Sequence, residues 1–460
     1  MNTSALAYLE NHMEQTLAEL KELLAIPSIS TETSAKADIQ RAAVWLQEKL
    51  SRMGARDVRE LDSSGNPVIF AELGEPGFSP TVLVYGHYDV QPPDPLEAWS
   101  SDPFVPVERG GQLYARGAAD MKGQLMAVLA AASAVFQSGI PIHVKFLLEG
   151  EEEIGSGSLP EILRVYQDLL TADYALNPDA GMVRADLPTI TYALRGAALF
   201  KLRITGPKHD VHSGLFGGAI PNPAHVLCEV LGRLHQPDGK VSLEGFYSRV
   251  KELDEEERAQ LTRLPRDDGF YLEQTGSSML WGEPGYTALE RTTARPTLEI
   301  NSLSAGFAGE GFKAVVPAEA SATISARLVP DQDPEEVHSM LRVFLQETVP
   351  AGVNWDLAYM VGVRPSQTDL SSPGVRVMAE ALQKVWGVEP VYQRVGGGIP
   401  VVSYLQEIMG MESILTGFCL PGDNLHGPDE KLDLDIWHKG IQALAGFFIL
   451  LGSSKKEEDA

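Results

Sequence analysis

Apolar residues recur at steps of three and four over the first fifty positions, and this spacing predicts two amphipathic helices before any strand. Leu6, Leu9, Met13, Leu17, Leu20 and Leu24 form one stripe over residues 5–25, which Pro27 ends. Ala42, Ala43, Leu46 and Leu50 form a second over about 37–53. The period then changes. Short apolar runs at Val68–Glu72, Thr81–Tyr85, His143–Leu148 and Tyr174–Leu176 alternate with helical stretches at about 121–137 and from Pro160, where Ser158 and Glu161 read as a capping box. Strands alternating with helices predict an α/β sheet with parallel strands and covering helices.

The rhythm shifts again near residue 192. A strand at Ala197–Ile204, a helix at about 222–235, strands at about 297–304 and 320–329, a helix opened by Asp333 and Pro334, and a strand at Trp355–Met360 follow in turn. That is the βαββαβ order of a ferredoxin-like unit, with a charge-rich insertion at about 236–295. After Pro365 the α/β pattern resumes with helices at 373–386, 400–409 and 435–451 and a strand at Ser413–Gly417, and the final SSKKEEDA reads as disordered. The expected architecture is a discontinuous α/β domain, residues 1–191 and 363–460, interrupted by an α+β domain, 192–362.

Composition narrows the class of function. The formal charge of −26 argues against nucleic acid, because phosphate binding needs clustered Lys and Arg, and it favours holding divalent cations. Two cysteines, Cys228 and Cys419, make neither a disulfide framework nor a Cys-rich zinc motif. The first residues lack a basic region followed by an apolar one, and the longest apolar stretches, Leu125–Phe136 and Ile441–Gly452, fall short of the roughly 20 residues a span needs. A cytoplasmic protein without membrane partners is the expectation.

Five stretches carry candidate chemistry, and four of them directly follow predicted strands: His87-Tyr88-Asp89, RGAADMKG with Asp120, LLEGEEEIGSGS with Glu151, Glu152 and Glu153, ALNPDAGM with Asp179, and PGDNLHGPDE with His426. Each also has an ordinary reading. His87 and Asp89 can be a polar pair at a strand end, Asp120 an N-cap, the glutamates a solvated turn, Asp179 a turn residue and His426 an exposed loop histidine. What sets them apart is convergence. In open α/β sheets ligands gather beyond the carboxyl ends of the strands, and two imidazoles with several carboxylates make a donor set suited to zinc, manganese or cobalt. The pattern alone does not choose among the three glutamates.

The same segments, with GPKHDVHSGLFGG, GEGFKAVVP, ARLVP, GGGIP and NLHGPDEKL, run in an order that resembles the carnosinase and aminoacylase-type dinuclear metallopeptidases, most closely their dipeptidase branch. The resemblance covers nearly the whole chain. It implies a phosphorylase/hydrolase-like catalytic domain with a mixed, largely parallel sheet and an inserted ferredoxin-like lid that forms a homodimer. It also implies two divalent ions per subunit, zinc first, with manganese or cobalt as alternatives. His87 and Asp179 would hold one ion, Glu153 and His426 the other, with Asp120 bridging. Asp89 would orient His87, and Glu152 would be the general base, the two glutamates diverging as extended neighbours do. His212 would serve the partner subunit's oxyanion, while Arg327 and the amides of Gly396, Gly397 and Gly398 would receive a substrate carboxylate. Val395 and Gly398 stand where the dipeptidase pattern has a carboxylate and a serine, so two side-chain contacts are missing there. The implied activity is hydrolysis of dipeptides. The alternatives are an N-acyl-amino-acid amidohydrolase and, in another class, a non-catalytic peptide-binding protein.

Overall fold

The computed structural model describes residues 3–77 and 80–458. In chain order α1 (Thr3–Leu24), α2 (Lys36–Met53), β1 (Arg56–Leu61), β2 (Val68–Gly74), β3 (Thr81–His87), α3 (Lys122–Gln137), β4 (His143–Glu149), β5 (Tyr174–Asn177) and β6 (Thr189–Leu194) come first. Then follow β7 (Gly196–Thr205), α4 (Pro223–Gly232), β8 (Thr297–Ala305), β9 (Glu319–Leu328), α5 (Pro334–Thr348) and β10 (Asn354–Val363). The chain closes with α6 (Pro373–Trp386), α7 (Pro400–Met409), β11 (Ser413–Thr416) and α8 (Leu434–Glu458). Two compact units result. One is built from residues up to Tyr192, Thr368–Gln393 and the chain from Pro400 on; the other from Ala193–Gln367 and Arg394–Ile399. Arg394–Ile399 of the RVGGGIP turn thus groups with the second unit, although the expected boundary at 363 put it with the first.

In the first unit the strand order is β1-β2-β4-β3-β5-β11-β6. The sheet is mixed. Its parallel pairings, β4/β3, β3/β5 and β5/β11, lie at the centre, and antiparallel pairs flank them. Interior parallel strands are covered on both faces, which is why Val82–Tyr85 is a continuous buried apolar run rather than an alternating one. Small residues let α3 pack closely from nearly every side; Ala127, Ala131, Ala132 and Ala134 are all buried, with α1 and α8 as neighbours. The indole of Trp437 on α8 is fully buried and donates to the Gly123 carbonyl at 2.8 Å. Over Leu434–Gly452 this helix is long and apolar enough to span a membrane, with mean hydropathy 1.2, yet 67% of that stretch is buried within the protein.

In the second unit four antiparallel strands run in the order β8-β9-β7-β10. Alternation along β7 points Ala198, Phe200, Leu202 and Ile204 toward α4 and α5, which supply Leu227, Val230, Leu341 and Leu345, and leaves Leu199, Lys201 and Arg203 exposed.

Some expectations fail for identifiable reasons. The Ser158–Glu161 capping box is absent: the helix starts at Leu159 without a side-chain cap, and the Ser158 hydroxyl instead donates to Glu151 Oε2 at 2.5 Å. The charge-rich β1 (RDVREL) is an edge strand with little buried surface, so its sequence carries no apolar signal. The insertion is structured by three short helices, Glu255–Leu261, Asp268–Thr275 and Ala288–Thr293, and by Arg295 paired through two nitrogens with Glu283 at 2.8 Å each. The last helix continues to Glu458, into the tail expected to be disordered, and Asp459 and Ala460 lie outside the described residues.

Gly150, between β4 and the acidic turn, abuts the buried Tyr88 ring, and a Cβ there would lie 2.7 Å from the ring's Cζ and hydroxyl oxygen. A rigid ring cannot yield as a flexible chain end does. Gly150→Ala is therefore expected to destabilise the protein by about 1–3 kcal/mol, read as a lower urea midpoint at unchanged slope; an unchanged midpoint would refute the packing account.

Candidate metal centre

The carboxyl ends of the central strands define one edge. His87 ends β3 and pairs with Glu149 at the end of β4, while β5 ends beside them at Asn177. The residues just beyond these ends, Asp89, Glu151–Glu153 and Asp179, therefore emerge side by side.

His87 is fully buried. Its Nδ1 faces the Asp89 carbonyl oxygen at 3.1 Å and the Asp89 carboxylate Oδ1 at 3.4 Å. The expected side-chain partner is thus present, with the main-chain carbonyl nearer. Nε2 lies 3.2 Å from Asp120 Oδ1 and 3.7 Å from Asp179 Oδ2, yet it makes no aligned hydrogen bond. A buried nitrogen ringed by carboxylate oxygens but bonded to none suits a cation shared among them. The other oxygen of Asp120, Oδ2, meets His426 Nε2 at 3.0 Å, and Glu153 Oε2 lies 3.3 Å from that same nitrogen. Asp120 therefore turns one oxygen to each histidine, with Asp179 on the His87 side and Glu153 on the His426 side. Single donor atoms of His87, Asp120 and Glu153 all lie within 4.8 Å of one another. Asp120 does not cap α3, whose N-cap position is Met121 and lacks a side-chain cap.

The three glutamates separate. Glu151 is buried and turned away, accepting from the Asn66 and Ser158 amides at 2.9 and 3.2 Å. Glu152–Ile154 is a 3-10 turn, so the divergence of Glu152 from Glu153 comes from that turn and not from extended alternation. Both amides donate to the Asp89 carboxylate, at 3.3 and 3.1 Å. Gln91 Nε2 donates to Glu153 Oε2 at 2.9 Å.

Crowding of charge perturbs these groups. Burial, joined by the charges of Asp179, Glu153 and Asp120 against the pull of His87, pushes the Glu152 carboxyl up to about 8. Burial and Asp120 push Asp179 up to about 7. Burial alone would raise Asp120, but the hydrogen bond from His426, the close approach of His87 and the charge of both imidazoles outweigh it and hold it well below the usual carboxylate range. Hydrogen bonds to Asp120 and Glu153 raise His426 to about 10, and His87 is raised as well, its contacts with Asp120 and Asp89 overcoming burial.

The other expected site residues lie in the second unit. His212, in the two-residue strand Val211–His212, is exposed, and its Nδ1 accepts from the Gly214 amide at 3.0 Å. Arg327 is half-buried on β9, opposite Ala197 of β7. Gly397 and Gly398 are exposed and Gly396 is half-buried. A Cβ on Gly398 would fall 2.8 Å from the Arg195 carbonyl oxygen, so the backbone itself disfavours the serine of the dipeptidase pattern at this position. Arg195 was not anticipated from sequence. Its guanidinium is buried, donates among the described residues only to the carbonyls of Gly396, Arg291 and Arg295, and feels the like charge of Arg327. Arg116 and Glu430 were also missed. They are buried beside Asp120, and nothing in ARG or PDEKL distinguishes them from solvated loop residues.

Residues 83–449 match Peptidase family M20/M25/M40, and the chain belongs to this family. It is 28% identical over 463 residues to the Cys-Gly metallodipeptidase dug1 of Schizosaccharomyces pombe, covering 97% of each chain. It is 30% identical to the cysteinylglycine-S-conjugate dipeptidase of Corynebacterium striatum, covering 98% of each. Among solved structures, an M20 family metallo-carboxypeptidase of Sulfolobus solfataricus superimposes with a TM-score of 0.84 at 31% identity, over 95% of this chain and 99% of that one. The protein is a metallopeptidase of the dipeptidase branch.

Metal binding requires deprotonated ligands. Without a cation, the carboxylates around His87 and His426 favour the protonated form of both imidazoles. Divalent cations compete with those protons and with the proton that Asp179 shares near pH 7, so affinity is expected to rise with pH and protons are released on binding. Isothermal titration with zinc in buffers of different ionisation enthalpy counts those protons; a heat independent of buffer would refute it.

Proposed function

We propose that this M20-family chain hydrolyses the amide bond of dipeptides at a two-cation site held by His87 and Asp179 on one side, Glu153 and His426 on the other, and Asp120 between them. The observation that carries the reading is the placement of Asp120, one oxygen toward each histidine. Zinc is the first choice of ion, with manganese or cobalt as alternatives, and such ions supply Lewis acidity and acidify a bound water.

Glu152 takes the proton of the attacking water and delivers it to the leaving amine. A carboxyl raised toward neutrality by burial is suited to both transfers. Asp89 holds the Glu152–Glu153 turn through two amides and keeps the imidazole of His87 oriented. Arg327 and the amides of Gly396 to Gly398 receive the substrate carboxylate, and Arg195 holds the Gly396 carbonyl and so fixes that turn. The second unit acts as lid and as homodimer interface, for which its sheet offers the exposed apolar side chains Leu199, Ile300, Leu303 and Met360. From there His212 donates to the oxyanion in the partner subunit's site. Two free cysteines accord with a cytoplasmic setting. The likeness to the Sulfolobus enzyme favours a second reading, removal of C-terminal residues from longer peptides.

Glu152→Gln should retain metal while the rate falls by about 10²–10⁴; metal analysis beside steady-state kinetics checks this, and near-normal turnover would remove Glu152 from the role of base. A panel of dipeptides, tripeptides and N-acyl amino acids should give cleavage chiefly of dipeptides, abolished by chelation and restored by zinc, manganese or cobalt. Preference for tripeptides would favour the carboxypeptidase reading, and cleavage of acyl amino acids alone an amidohydrolase.

A further inference from the structure

The cluster just described relies on two segments far apart in sequence, Asp120 and His426 being 306 residues apart. His426 sits on a loop, half-exposed and at a positive φ of 59°. Its imidazole meets Asp120 and Glu153, both from distant segments, so an interaction that ties those segments together bears on where it lies.

Arg116 and Glu430 meet beneath this loop, 1% and 0% exposed. Glu430 Oε2 accepts from Arg116 Nη1 at 2.7 Å and from the Gly117 amide at 2.8 Å. Its other oxygen, Oε1, accepts from the amides of Ala119 at 2.9 Å and Asp120 at 3.0 Å. The Glu430 main-chain carbonyl also accepts from the Ala115 amide at 3.1 Å. Arg116 Nη2 donates to the Gly427 carbonyl at 3.1 Å, next to His426, and to the Pro92 carbonyl at 3.2 Å, just past Asp89. The guanidinium rests 5.3 Å from the centroid of the Trp99 ring.

We propose that Arg116 and Glu430 are positioning residues: a buried clasp that sets the separation of Asp120 and His426 and thereby the affinity of the cation site. The distribution of contacts separates this from generic support of the fold. All four donors to the Glu430 carboxylate come from residues 116–120, the turn that presents Asp120, and the amide of Asp120 is itself one of them. The planar fork of Arg116 spans a carboxylate and two carbonyls at once, which a lysine cannot do.

The inference rests on the proposed binding of divalent cations at Asp120 and His426. The experiment therefore begins with the full-length wild type, titrated with cobalt and followed by its visible absorption and by equilibrium dialysis. Uptake of two ions is expected; if the wild type takes up none, the functional reading falls and the positioning role with it. Glu430→Gln, which places an amide nitrogen against main-chain donors, and Arg116→Lys are then each expected to lower cobalt affinity 10–100-fold and to alter the absorption band. Far-UV circular dichroism should match wild type. At saturating cobalt kcat should fall while KM holds. Wild-type affinity and spectrum in a folded variant would overturn the proposal, even with a lowered Tm. Failure of both variants to fold would overturn it too, because the pair would then support the whole unit rather than two ligands.

Discussion

Like-charge repulsion at one sheet edge is the constraint to which the rest of the first unit answers. Asp120, Glu152, Glu153 and Asp179 crowd around two imidazoles. Two unit charges 4 Å apart interact by about 4 kcal/mol at an effective dielectric constant of 20, so four carboxylates here cannot all ionise without compensation. Protons on both histidines, on Glu152 and on Asp179 are one form of compensation, and the raised values of these groups express it. Divalent cations are the other. The same repulsion that makes the metal-free edge unfavourable is what a pair of cations would relieve.

The acidic residues of this region sort by who donates to them. Asp89, Glu151 and Glu430 each accept from two or more main-chain amides, and these bonds hold them in structural roles. Glu149, fully buried, accepts from the hydroxyls of Tyr85 and Ser156. Among the described residues, no aligned donor reaches the carboxylates of Glu152 and Asp179, and Asp120 meets only the two histidines. A carboxylate whose lone pairs are saturated by amides has little left for a cation. This sorts the acidic residues more sharply than sequence position does, since Glu151 and Glu152 are neighbours with opposite surroundings.

Much of this was legible in the chain. The long helices and central strands announce themselves because a 3.6-residue stripe or a continuous apolar run is the direct imprint of burial, and the helices Pro373–Trp386 and Pro400–Met409 begin and end where the pattern places them. The edge strand Arg56–Leu61 was not legible, because an edge strand buries too little to impose a pattern. The site was half legible. His87, Asp120 and His426 stand out once strand ends are assumed to converge, and the structure does bring them together. Choosing among Glu151, Glu152 and Glu153 needs the direction of each side chain, which a 3-10 turn decides and no periodicity encodes. Arg116 and Glu430 were invisible for a related reason: their partners lie more than 300 residues away, and a buried ion pair looks like a surface one until the fold closes over it.

Those hidden partners explain how the site keeps its shape. Asp89 joins the His87 segment to the Glu152–Glu153 turn through main-chain amides. Glu430 joins the loop of His426 to the turn of Asp120 in the same manner. Arg116 connects the two fastenings, because one of its nitrogens reaches the Pro92 carbonyl three residues past Asp89 and also the Gly427 carbonyl beside His426. Each fastening uses a carboxylate outside the proposed ligand set, so the candidate donor atoms are gathered by the protein alone. Pre-placed donors reduce the ordering cost of binding a cation.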